Sequence, residues 1–177
     1  MLHEKKERRH NNDPAFPEEE VKLAKMMIDD LKTTIEFFHY LMKHKQKSSL
    51  TMILISADDL KLDHLLQKWK RKTDILFELD KTNNVYVLIC QSTDKDGGKQ
   101  FAEILMSNIR VYSEEPTYCV ISGPKAMSYP IQEVIFRMVE KYIRIKEEKS
   151  ADQVFFTNFE TTKTIESEDI VYRTELS

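Results

Sequence analysis

The chain has 177 residues, 41% of them hydrophobic and 32% charged, with a formal net charge of −3. That balance suits one soluble domain with a real core and charged ends, and it gives no reason to expect a nucleic-acid or anionic-membrane surface. The only glycines are Gly97, Gly98 and Gly123, which excludes a Gly-rich phosphate loop.

The N-terminus, MLHEKKERRHNND, is charged and lacks the apolar stretch of a signal peptide. Residues 1–16 read as a disordered lead. Pro17 followed by Glu18, Glu19 and Glu20 starts a helix, because proline fits the first turn and acids suit the positive end of the helix dipole. The helix is expected over residues 17–47. Val21, Ala24, Ile28, Leu31, Ile35, Phe38 and Met42 follow at alternating steps of three and four, an a/d heptad pattern. Two readings stay open: a helix packed on its own domain, or one that pairs with a protein partner or a second copy. His39 and His44 do not share a helical face, so no metal site is expected there.

LTMILISA (Leu50–Ala57) is a continuous apolar run, the pattern of a central buried strand. Asp58 and Asp59 then open a helix with Leu62, Leu65, Leu66 and Trp69 on one face. ILFEL (Ile75–Leu79) and VYVLIC (Val85–Cys90) read as two strands of a hairpin, with DKTNN (Asp80–Asn84) as turn chemistry between them. Ser92-Thr93-Asp94 caps a helix whose inward face is Phe101, Ile104, Leu105 and Ile109. TYCVIS (Thr117–Ser122) is the next strand, and Gly123-Pro124 stops it. Ser128 precedes a helix with Ile131, Val134, Ile135, Met138, Val139 and Tyr142 inward, and Gln153–Phe159 is a short last strand. Residues 160–177 read as a flexible tail, so residues 17–159 are expected to form one domain. Cys90 and Cys119 fall inside apolar strands, which points to buried reduced thiols and a cytoplasmic setting. No apolar run approaches the length of a membrane span.

The central order is β-α-β-β-α-β, which places both crossover helices on one face of an antiparallel-containing sheet, an α/β (α+β) architecture. Local phrases on this frame resemble the GGDEF domain of bacterial diguanylate cyclases, a member of the nucleotidyl-cyclase palm superfamily. Thr51–Lys61 resembles the family's first strand and its D-x-D-x-F-K segment. Arg71-Lys72-Thr73-Asp74 fits its R-x-x-D, and Val85–Leu105 resembles its second hairpin strand and helix start. Cys119–Gly123 resembles its S-x-G strand end. The likeness covers roughly residues 28–158.

The resemblance also marks what is missing. The family's signature turn carries two glycines, which let substrate approach the backbone, and an acidic residue that binds metal. Here Asp80, Thr82, Asn83 and Asn84 occupy a longer turn without glycine. The family's first metal-binding aspartate falls on Ser56, and Asp58 matches the second. Two Mg²⁺ ions bridging a triphosphate need carboxylates converging from both places. The resemblance therefore implies a degenerate, non-catalytic domain with no cofactor and no metal, acting as a regulatory or protein-interaction module in signalling. The alternative is a cyclic di-GMP receptor. In the family R-x-x-D is an inhibitory product site, so Arg71 and Asp74 would hold the ligand, arginine by its bidentate fork. The plain alternative for that pair is a surface Arg–Asp contact capping the strand.

Overall fold

The computed structural model describes residues 18–44, 49–58 and 60–157, without the side chains of residues 34, 35, 37–44 and 127. The expected leader over 1–16 and tail over 160–177 lie outside the described residues.

The elements run α1 (Glu18–His44), β1 (Leu50–Ala57), α2 (Asp63–Trp69), β2 (Ile75–Asp80), β3 (Val85–Gln91), α3 (Lys95–Tyr112), β4 (Thr117–Ser122), a 3-10 helix (Pro124–Ser128), α4 (Ile131–Glu147) and β5 (Val154–Phe156). One five-stranded sheet has the order β2-β3-β1-β4-β5, antiparallel except for the β4–β5 pair. β3 lies between β1 and β2, and β1 lies between β3 and β4, so each crossover helix skips one strand. This is the β-α-β-β-α-β core expected from the sequence, extended by α4 and β5.

Both faces of the sheet are covered, which is why β1 and β4 are apolar at nearly every position and wholly buried. On one face, Ile53, Ile55, Tyr86, Leu88 and Cys119 pack under Leu62 and Leu66 of α2 and Ala102, Leu105 and Ile109 of α3. On the other, Met52, Leu54, Val87 and Val120 pack under Leu31 of α1 and Val134, Met138 and Tyr142 of α4. Each face removes aliphatic and aromatic side chains from water at about 25 cal/mol per Å² of apolar area.

Several boundaries differ from the sequence reading. α2 starts at Asp63, because the Asp58 N–H is drawn to the Pro116 carbonyl (3.2 Å) and extends the strand end. Ile104 is 58% exposed; the inward stripe of α3 is Ala102, Leu105, Met106 and Ile109. A 3-10 helix intervenes before α4, whose N-cap is Pro130. β5 spans Val154–Phe156, and residues 158 and 159 of the expected strand lie outside the described residues. In α1 the heptad divides. Val21 is 46% exposed, while Leu23, Ala24, Met27 and Leu31 are buried against the domain. Over residues 20–31 the seam is therefore occupied by the chain's own core. The side chains of Ile35, Phe38, Met42, His39 and His44 lie outside the described residues. Among the described residues no helix is long and apolar enough to cross a membrane.

Candidate functional site

The predicted site residues gather at opposite ends of the sheet. Ser56, Asp58 and the hairpin turn share the end where β1 finishes; Arg71 and Asp74 lie at the end where β2 begins.

At the hairpin end, Ser56 pairs with Val85 of β3 and Tyr118 of β4 and is completely buried. Its side chain has the parity of Met52 and Leu54, so it faces α4. There the Tyr142 hydroxyl donates to Ser56 Oγ at 2.7 Å, across 86 positions of sequence. Burial pushes the Tyr142 hydroxyl up to about 12, the Ser56 hydrogen bond opposes this, and the charges of Asp58 and Asp80 add to it. Both carboxylates therefore act on this one buried hydroxyl. Tyr142 was read only as part of an apolar face; a buried tyrosine hydroxyl needs a partner, and that is the signal that could have flagged it.

The turn is closed by its own side chains. Asp80 accepts from the backbone N–H of Thr82 (3.0 Å) and Asn83 (3.2 Å) and from Asn83 Nδ2 (2.7 Å). Asn84 has φ 54°, a left-handed conformation that asparagine tolerates without glycine. A bulge between Glu78 and Asp80 sets the approach to the turn. Burial raises the Asp80 pKa, but the hydrogen bonds from Asn83 and Thr82 and the Lys22 charge outweigh it and hold the carboxyl below its usual value. Beside the turn, a cavity of about 190 Å³ is lined by Lys22, Met26, Asp80, Asn83, Tyr142 and Lys146. Among the described residues no three His, Cys, Asp or Glu side chains cluster to hold a metal ion.

At the other end, Arg71 and Asp74 form a fork. Arg71 Nε and Nη2 donate to the Asp74 carboxylate at 2.8 to 3.1 Å, and the Arg71 backbone N–H donates to it at 2.9 Å. The same Nη2 donates to the Gln91 carbonyl (3.0 Å) and Thr93 Oγ1 (2.6 Å), and Lys70 Nζ donates to the Asp74 carbonyl (3.0 Å). The Asp74 side chain is fully buried and that of Arg71 is 49% exposed. This is not the surface pair of the plain alternative. It ties the entry of β2 to the exit of β3, through Gln91, which the sequence reading did not single out, and Thr93, which it named only in the helix cap. The Asp74 hydrogen bond holds the Arg71 guanidinium above its ordinary pKa. Arg71 also borders a cavity of about 290 Å³ with Ser49, Cys90, Ser92, Asp94 and Gly97. Burial, with the Asp74 charge, pushes the Cys90 thiol up to about 12, and burial alone does the same to Cys119.

The structure superposes on two solved domains. One is a microbial GGDEF domain described in a novel interaction mode with bis-(3′,5′)-cyclic di-GMP, at 8% identity and TM-score 0.56, covering 72% of this chain and 91% of that one. The other is the active GGEEF domain of a diguanylate cyclase from Vibrio cholerae, at 12% identity and TM-score 0.52, covering 68% and 90%. No protein-family model matches the chain, and no curated protein matches it in sequence. The fold is thus that of the GGDEF domains.

Proposed function

We propose that this chain is a GGDEF-fold domain that makes no cyclic di-GMP and serves as a regulatory, protein-binding module. The observation that carries the reading is the buried Tyr142–Ser56 hydrogen bond. The resemblance assigns Ser56 to a metal-binding carboxylate position, and here a neutral hydroxyl fills it, accepting a hydrogen bond from a tyrosine of α4. Asp80, the acid nearest in sequence to the signature turn, commits its carboxylate to three donors of its own turn. Asp58 is then left without a partner carboxylate for a pair of Mg²⁺ ions. Calorimetric titration with GTP and Mg²⁺ tests this: no saturable heat that Asp58→Ala removes is expected, and such heat would overturn the reading.

A second reading, a cyclic di-GMP receptor, is favoured by one observation. Half of the Arg71 side chain is exposed beside a 290 Å³ cavity. In this reading Arg71 alone meets the ligand, and the buried Asp74 holds its guanidinium in position. Saturable cyclic di-GMP binding weakened by Arg71→Lys, in a folded protein, is the expected result; binding unchanged by that substitution would sink it.

A further inference from the structure

The β5 end of the sheet carries a groove that neither reading uses. Its cavity, about 350 Å³, has an apolar floor of Pro124, Ala126 and Phe156 and includes Lys95, Lys125 and Thr157 in its lining. The Lys95 ammonium sits 4.8 Å from the centre of the Phe156 ring. Asp94 and Asp96 line it too, but the Asp94 carboxylate is turned to its own helix, accepting from the Gly97 N–H at 2.7 Å. The start of the 18-residue α3 adds the positive end of a helix dipole.

We infer that this groove is the docking site of the chain's own segment 158–169, with Phe159 seated against its floor. Three observations converge. The chain leaves β5 at the groove wall in a fixed position: the Thr157 N–H donates to the Ile121 carbonyl at 3.1 Å, and its hydroxyl meets Ser122 Oγ at 3.1 Å. Phe159 follows two residues later, within a reach of about 7 Å. The continuation is acidic, with Glu160, Glu166, Glu168 and Asp169 against Lys163 alone, and so complements Lys95, Lys125 and the helix terminus. A tethered segment also meets its site at an effective concentration on the order of millimolar, which an untethered partner seldom reaches.

Nuclear Overhauser spectra of the full chain test the assignment directly. Cross-peaks between the Phe159 ring and the Ala126 methyl, unchanged on dilution, are expected. Their absence would overturn the proposal, as would their disappearance on dilution, which would assign the groove to a second copy. Hydrogen exchange gives an independent reading. Phe159→Ala is expected to speed exchange across Gly123–Ser128 by about tenfold or more, with the hairpin turn unchanged. Exchange unaltered by the substitution refutes the docking.

Discussion

Replacing Arg71 with alanine separates a surface ion pair from a buried one. The Asp74 side chain is fully buried and receives three of its hydrogen bonds from the Arg71 guanidinium. Without them the carboxylate keeps the Arg71 backbone N–H alone. Removing one partner of a buried pair costs about 3–5 kcal/mol, whereas an exposed pair is worth about 0–1 kcal/mol. Because the Arg71 side chain is 49% exposed, water reaches the guanidinium side and lowers the expected loss to about 2–3 kcal/mol. Urea unfolding at neutral pH measures it, and Arg71→Ala should shift the midpoint without changing the slope. Combining it with Asp74→Asn should cost less than the sum of the two, because the stranded charge is gone. A loss below about 1 kcal/mol, or strict additivity, would refute the buried-fork account. The same arithmetic explains why Arg71→Lys, which keeps a charge beside Asp74, is the sounder probe of ligand binding.

Gly98→Ala should destabilise by about 1–3 kcal/mol in thermal unfolding despite the better helix propensity of alanine, because its Cβ would meet Thr51 Cγ2 at 2.6 Å; Thr51→Ser should recover part of the loss. Asp80→Asn should cost about 1 kcal/mol at pH 7. The folded carboxyl lies below its ordinary pKa, so its contribution is present above the unfolded value and lost as pH falls through the folded one. Wild type and variant should therefore converge in acid, and a gap that widens on acidification would contradict this. Cys90 and Cys119, with thiols pushed up to about 12, should resist thiol reagents at pH 8 until the chain unfolds; rapid labelling of native protein would contradict their burial.

Much of the sheet was legible because its signals are local. β1 read as a continuous apolar run and β4 as a strand stopped by Gly123-Pro124, and both strands match the sequence expectation residue for residue. The Asp94 cap of α3 was equally plain, since it serves the Gly97 N–H three residues on. What failed depended on distant neighbours. Asp58 and Asp59 carry the composition of a helix start, yet the pairing of Asp58 with Pro116 delays α2 to Asp63. Ile104 fits an apolar stripe by spacing, but the sheet beneath α3 takes Ala102, Leu105 and Ile109 instead. Val21 fits the heptad, while the domain claims the adjoining face of α1 through Leu23 and Met27. At the sites, the motif at Arg71 and Asp74 was visible, but not that Gln91 and Thr93 complete it. Ser56 was visible as a neutral residue at the end of an apolar strand. That the Tyr142 hydroxyl donates to it could not be read from positions 86 apart.

The most direct test of the central proposal is turnover. The purified 177-residue chain is incubated with GTP and Mg²⁺, and the nucleotides are separated by anion-exchange chromatography. No cyclic di-GMP is expected, because Ser56 presents a neutral, buried hydroxyl bonded to Tyr142 and Asp80 is committed to its turn. Cyclic di-GMP formed by the wild type and abolished in Asp58→Ala would contradict it and restore this chain to the catalysts.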